Sequence, residues 1–414
     1  MKHKISNLKS QISNKEGLAL RGGRPVRTKP WPSWPIWDDR ERKGLNAVLE
    51  SGKWWYGERV REFEEKFAKF QKAKYCITSS SGTTALETCL LALDIGPGDE
   101  VIVPAYTFMA TASCVMRVGA TVIFADVDPD TYCIDPKSVE KVITRRTKAI
   151  MPVHFAGMMA DMDAIMKLAR KHKLKVIEDA CHAWGTIWRA SGAGSKGAGT
   201  IGDIGCFSFQ ASKNITAGEG GAIVTNDEKL ANICRSYTNC GRGANTPWYQ
   251  HYLMGSNLRL TEFHAAILLA QLDRLPEHMA RREENAEYLD NLLREIPGLY
   301  PVPGDKRVKP RSYHLYCLRF EPKEFGCSRE ALIKAAKAEG LDLAPGYPMP
   351  LYKQPMFANR REYKKIFLPG TEKLCNESAL WFRHFLLLGT KADMRDIFSV
   401  FRKIREHAEE LRQG

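Results

Sequence analysis

Lys213 is the residue with the most obvious chemical potential, set in the run Phe207-Ser-Phe-Gln-Ala-Ser-Lys-Asn-Ile-Thr-Ala-Gly-Glu-Gly-Gly-Ala-Ile-Val-Thr-Asn-Asp227. Ile204 to Phe209 reads as an apolar strand, and a polar turn after it presents the single amine. Gly218-Glu219-Gly220-Gly221 then turns the chain into a second strand, Ala222 to Thr225. Burial penalises the charged form of a lysine held between two buried strands. The neutral amine is the form that makes a Schiff base with an aldehyde cofactor such as pyridoxal phosphate. A lysine whose stem lies along the turn with its ammonium in water is the other reading of the same segment.

Three further groups fall at the ends of apparent strands, where open α/β sheets bind ligands. In Ser79-Ser80-Ser81-Gly82-Thr83-Thr84-Ala85-Leu86, free backbone N–H groups and hydroxyls open a helix after a strand, an arrangement suited to phosphate or to plain N-capping. In Val176-Ile177-Glu178-Asp179-Ala180-Cys181-His182, Asp179 closes a strand, from which a carboxylate can hold a pyridine nitrogen protonated. His182 is within reach of the same ring's oxygen, while capping and metal ligation are the alternatives for the aspartate. In Pro104-Ala105-Tyr106-Thr107-Phe108, Phe108 can stack on a flat cofactor or fill core. Ser208, on the strand before Lys213, adds a hydroxyl to the anion site.

The elements that must position these groups alternate regularly. Strands are expected at 75–78, 100–103, 121–125, 148–153, 175–177, 204–209 and 222–225. Helices are expected at 38–50, 60–70, 83–93, 108–118, 136–144, 162–172 and 229–237. This is an α/β unit with a largely parallel sheet of about seven strands covered on both faces. A helical stretch from Thr261 to Ile296, interrupted at Pro276, leads into a smaller α/β unit from about Pro301. The division expected is a basic, disordered tail at 1–17, a large unit at 18–260 and a connecting helix with a small C-terminal domain at 261–414. Within the large unit, Leu18 to Pro35 is an extended arm that packs through Trp31 and Trp34.

Composition removes several classes of function. With 414 residues, 44% of them hydrophobic and 27% charged, the chain suits two globular domains. No stretch has the ~18–20 consecutive apolar residues of a membrane helix, and no secretory signal is evident. The eleven cysteines form no Cys-x-x-Cys pair and the histidines no ligand cluster, which points away from zinc and disulfides and toward a reducing cytoplasm. Residues 1–30 carry +7 of the +14 net charge, so the body is only mildly basic and suits small anions as well as nucleic acid. Gly192-Ala193-Gly194-Ser195-Lys196-Gly197 matches a dinucleotide fingerprint, but its neighbours make it a flexible loop rather than a strand–helix junction.

With these residues in place, the chain resembles the sugar and aminocyclitol aminotransferases of the DegT/StrS type, pyridoxal-phosphate enzymes of fold type I. The resemblance runs through Ser-Gly-Thr-Thr-Ala-Leu, residues 97–108, residues 119–128, Glu-Asp-Ala-Cys-His-Ala-Trp-Gly, Ser-Lys-Asn-Ile-Thr-Ala-Gly-Glu-Gly-Gly, and Asn257-Leu258-Arg259-Leu260-Thr261-Glu262 onward. It implies that Lys213 is the Schiff-base lysine, Asp179 the partner of the pyridine nitrogen, Phe108 the stacking ring and His182 a contact on the oxygen side. Gly82, Thr83 and Ser208 would hold the phosphate. Asn257 would reach the phosphate of the neighbouring subunit, so the site would be completed in a homodimer.

The resemblance further implies a ping-pong transfer of an amino group from glutamate or glutamine to a nucleotide-linked keto-sugar or a keto-cyclitol. Gly346-Tyr347-Pro348 replaces the His-Tyr-Pro of many nucleotide-sugar members. The opening Leu-Ala-Leu-Arg-Gly-Gly-Arg-Pro-Val-Arg and Trp54-Trp55 are closer to the inosose and aminohydroxybenzoate branch. Aminohydroxybenzoate formation uses the same lysine and stays open. Sugar dehydration is disfavoured, because relatives that do it carry histidine at the position of Lys213. A regulatory, nucleic-acid-binding role for the basic tail is the reading from a different class.

Overall fold

The computed structural model describes residues 17–189, 194–243, 246–247 and 249–412. The expected tail, apart from Gly17, lies outside the described residues. Seven strands build the main sheet: β1 (Tyr75–Ser79), β2 (Glu100–Pro104), β3 (Thr121–Ala125), β4 (Thr147–Ile150), β5 (Lys175–Asp179), β8 (Ile204–Ser208) and β9 (Gly221–Thr225). Between β5 and β8 lies a hairpin of β6 (Ile187–Arg189) and β7 (Ser195–Gly197). The spatial order is β1-β9-β8-β5-β4-β2-β3. Only β9 runs against its neighbours, and every other pairing is parallel.

Burial on both faces explains why these strands read as continuous apolar runs rather than as alternation. Along β2, Ile102 packs into one core while Val101 and Val103 pack into the other. On β9, Ala222 and Val224 face the first core and Ile223 the second. The parallel strands are joined by helices such as Gly82–Ala92, Ala110–Arg117, Pro136–Val142 and Met162–His172. These crossovers carry the carboxyl ends of β1, β2, β5 and β8 to the same edge of the sheet, where the candidate residues lie.

Two expectations are corrected. Of the segment read as a flexible loop, residues 190–193 lie outside the described residues, and Ser195–Gly197 form a strand paired antiparallel with Ile187–Arg189. A side chain at Gly197 would place its Cβ 1.9 Å from the Gln71 carbonyl oxygen, so the glycine serves close packing rather than looseness. The helix expected to break at Pro276 runs uninterrupted from Glu262 to Leu293. An interior proline costs roughly 3 kcal/mol, and the burial of Leu268, Leu272, Leu275 and Met279 in the main core offsets it. The far half of that helix, at Ala286, Leu289 and Leu293, enters a third core.

That third core belongs to a C-terminal sheet of β10 (Leu299–Pro301), β11 (Leu315–Phe320) and β12 (Ala379–Arg383), all antiparallel. Leu318, Phe320, Leu380 and Phe382 pack there against Leu332 and Ala335 of helix Arg329–Ala338 and Ile397, Val400 and Phe401 of helix Lys391–Glu406. The amino-terminal arm is clasped to the same unit. Arg27 pairs with Asp393 and Asp396, both at 2.7 Å, and Glu339 accepts from the backbone of Ala19 and Val26. The Trp31 indole donates to the Gly340 carbonyl, and the Trp34 indole donates to that of Ala211, two residues before Lys213. No helix among the described residues is long and apolar enough to cross a membrane.

Candidate active site

A cavity of about 620 Å³ opens where the carboxyl edge of the main sheet meets the C-terminal sheet. Lys213, Asp179, Gly82, Thr83, Phe108, His182 and Ser208 all line it. Asn257 does not; it is exposed on the segment after Tyr252, where it bridges to Asn239. The C-terminal side adds residues the sequence did not single out, namely His314, Leu315, Trp381, Arg383 and His384, together with Tyr347.

At the helix end of the cavity, the Ser81 hydroxyl caps the Thr84 N–H and the Thr84 hydroxyl accepts from the Ser81 N–H. The capping reading is therefore correct, yet it leaves the Gly82 and Thr83 N–H groups without a recorded partner among the described residues. Both border the cavity beside Ser208, so the cap leaves two backbone donors of one helix terminus available to an anion. A Cβ on Gly82 would lie 2.7 Å from that of Ser208, which is why glycine allows the helix to approach β8 so closely.

Asp179 is 5% exposed. Its Oδ2 accepts from the Thr111 hydroxyl at 2.8 Å and its Oδ1 from the Cys181 N–H at 3.2 Å. Two donors leave acceptor capacity facing the cavity. Among the described residues there is no group of three side chains that could hold a metal ion. Phe108 is 61% exposed, which removes the core-packing alternative and leaves a bare ring at the rim. Lys213 is partly buried, and burial lowers the pKa of its amine, with Cys181, Asp179 and Cys206 opposing the shift.

The histidines have defined tautomers because their second nitrogens are engaged. The Ala156 N–H donates to His182 Nδ1 at 3.2 Å, so Nε2 carries the proton. Asn214 donates its amide to the Ser312 carbonyl and accepts from His314 Nδ1 at 3.0 Å, leaving His314 Nε2 as an acceptor. Arg282 donates to His384 Nδ1, and His384 Nε2 donates to the Ser212 carbonyl next to Lys213. Burial pushes all three imidazoles well below 6.5, with the Lys213 charge adding to each, so they are neutral near pH 7. The His182 and His314 rings lie 4.2 Å apart. Tight backing from Trp34, edge-on to His384 at 4.6 Å, completes this wall.

The arrangement is an amine kept toward its neutral form, a carboxylate with spare lone pairs, an exposed aromatic ring and a free helix terminus around one space. Comparison with known proteins agrees with it. The description of the DegT/DnrJ/EryC1/StrS aminotransferase family matches residues 35–400. The L-glutamine:2-deoxy-scyllo-inosose aminotransferase of Streptomyces kanamyceticus is 37% identical, over 94% of this chain and 97% of that protein. The 3-amino-5-hydroxybenzoate synthase of Amycolatopsis mediterranei is 37% identical, over 88% of this chain and 94% of that protein. A crystal structure of 3-amino-5-hydroxybenzoic acid synthase superposes with a TM-score of 0.84 at 36% identity, covering 91% of this chain and 98% of that one.

Proposed function

This chain belongs to the DegT/DnrJ/EryC1/StrS aminotransferase family, and from that premise we infer that it transfers an amino group from glutamine or glutamate to a keto-cyclitol or keto-sugar. The observation that carries the reading is that Lys213 and Asp179 line one cavity with the unpartnered Gly82 and Thr83 N–H groups. Members of this family are pyridoxal-phosphate aminotransferases, and the residues present suit that cofactor. The two N–H groups and the Ser208 hydroxyl are donors for a phosphate, Asp179 is an acceptor for a protonated ring nitrogen, Phe108 offers a flat face, and His182 Nε2–H is a donor for the ring oxygen. When bound, the cofactor supplies an electrophilic carbon and a ring that accepts electrons from the bond being broken.

The protein's own groups then have separate tasks. Lys213 would hold the cofactor through its aldehyde, and its neutral Nζ is the group that would take and return the proton of the donor's α-carbon. Asp179 would keep the cofactor's ring nitrogen protonated, a preorganised electrostatic contribution. With neutral histidines and a lysine held toward its neutral form, Arg383 is the one fixed cation among the cavity's described lining residues. Glutamine as donor and an inosose-type ketone as acceptor are favoured by the likeness to the glutamine:inosose aminotransferase of Streptomyces kanamyceticus. Exposure of Asn257 outside its own cavity supports a homodimer in which it serves the other copy. Exposed Trp54 and Trp55 next to that segment support the same reading.

The test is direct. Purified protein loaded with pyridoxal phosphate should absorb in the visible, and borohydride should fix the cofactor on the peptide containing Lys213. Glutamine or glutamate should bleach that band, and an inosose or a keto-sugar should restore it. Bleaching without restoration by either acceptor class would remove the acceptor assignment. The likeness to 3-amino-5-hydroxybenzoate synthase supports a second reading, in which the same lysine serves formation of an aminohydroxybenzoate. Release of that product by the loaded protein would favour it.

A further inference from the structure

The long helix Glu262–Leu293 carries Arg282 into the interior, where its side chain is wholly buried. A buried charge ordinarily meets an opposite one, because desolvation penalises an isolated ion heavily. Arg282 has no carboxylate partner among the described residues, and burial alone lowers its pKa, to about 9. It therefore stays cationic at neutral pH. Its Nε and Nη1 have no hydrogen-bond partner among the described residues. Its one side-chain bond there runs from Nη2 to His384 Nδ1 at 3.1 Å, and its guanidinium carbon lies 5.7 Å from the centre of the Trp34 ring.

Those two rings hold the backbone that leads to Lys213. The Trp34 indole donates to the Ala211 carbonyl at 3.1 Å, and His384 Nε2 donates to the Ser212 carbonyl at 3.2 Å. The carbonyl before them, that of Gln210, accepts from the Lys213 N–H at 2.8 Å. Three consecutive carbonyls ahead of Lys213 are thus each met by a donor, and Arg282 stands behind two of those donors. Arg282 itself does not line the cavity.

The chemistry of the chain leaves His384 a single state. A guanidinium only donates, so Nδ1 must be a bare acceptor; a carbonyl only accepts, so Nε2 must carry the proton. Protonating Nδ1 would set one N–H against another and a second cation beside the first. Resting on the aminotransferase reading above, we propose that Arg282 is a positioning residue that locks His384 as a neutral, one-tautomer donor and so fixes the peptide from which Lys213 enters the cavity. The groups facing His384 are Arg282 and His278 on the long helix, Lys213 on the turn and His314 ahead of β11, and none of them is a carboxylate that would favour the imidazolium.

The experiment reads the lock and the reaction separately. In ring-labelled protein, magnetic resonance reports the tautomer of His384, whose signals are identified by their absence in H384F. Wild-type protein, loaded or unloaded, should show only the Nε2–H form, with no titration between about pH 8 and about pH 6. In R282M the His384 midpoint should rise toward the ordinary histidine value. Its kcat should be roughly 10- to 100-fold lower near pH 8 and fall further toward pH 6, with KM for the amino donor within about twofold. R282K, which can still donate to Nδ1, should recover part of the loss. Because the lost cation had no counter-ion, R282M should melt no lower than wild type. H384F should match R282M near pH 8, and the double variant should be no slower than either. Wild-type kcat in R282M, additive losses in the double variant, a lowered melting temperature in R282M, or a wild-type His384 that titrates in this range would each overturn the role of Arg282. Failure of any amino acid to bleach the loaded wild-type protein would instead remove the aminotransferase reading, and the ring signals would still decide the lock.

Discussion

Glu178 and Asp179 are adjacent on β5, carry the same functional group and have opposite surroundings. The Glu178 side chain is fully buried, and its two oxygens accept from four donors: His154 Nε2 and the Gly199, Ile201 and Gly202 N–H groups, at 2.6 to 2.9 Å. Asp179 has two donors and an open side. Strand alternation sends the first under the turn that leads into β8 and the second into the cavity. A saturated buried carboxylate organises the fold, whereas one with acceptor capacity left over is free to meet a ligand. Burial alone would not separate them, since Asp179 is only 5% exposed.

The contrast can be broken from the cavity side first. Lys213→Ala should lower turnover by about 10⁴-fold or more, and borohydride should no longer fix cofactor to the chain. Next comes Asp179→Asn, which should cost roughly 10²- to 10³-fold in kcat, with a melting temperature close to wild type. Glu178→Gln makes the identical carboxylate-to-amide change one residue earlier, and the outcome should invert. Its amide N–H₂ would confront backbone donors, costing about 2–4 kcal/mol in denaturant unfolding, while properly folded protein keeps its activity. If Glu178→Gln were silent in stability, or Asp179→Asn left kcat unaltered, the distinction would fail.

The smallest effect concerns acid. His182, His314 and His384 titrate well below 6.5 because they are buried, so between 6.5 and their folded values the unfolded chain binds more protons. Their contribution to stability is therefore complete above pH 6.5 and is lost as the pH falls below it. At pH 5.5 the loss should approach about 1 kcal/mol per histidine, read from denaturation midpoints. His384→Gln should flatten that slope.

Legibility followed locality. Lys213, Asp179, Gly82, Thr83, Phe108, His182 and Ser208 each lie within a few residues of a strand end in the main sheet. A short window of sequence holds both the strand and the group it presents, and the structure brings them to one cavity. Trp381 and Arg383 on β12, and His314 and His384 just before β11 and just after β12, lie more than 100 residues beyond Lys213, and no local motif marks them. The available signal was the alternation in Ala379-Leu-Trp-Phe-Arg383, whose faces can be assigned only once the sheet's partner is known. The continuity through Pro276 was hidden for a related reason, since the burial that offsets the proline is supplied by distant elements. Gly197 reads as a loop residue until the Gln71 carbonyl is seen against it.

The clasped arm gives the chain a practical boundary. Leu18 is embedded in the C-terminal core, Arg27 and Trp31 are anchored on the same unit, and Trp34 reaches the turn that offers Lys213. A tag or fusion attached upstream of residue 17 leaves every one of these anchors in place. Trimming into the arm would unbuckle a strap between the carboxyl-terminal third of the molecule and its reactive turn, so any shortened version designed for expression should begin before Leu18.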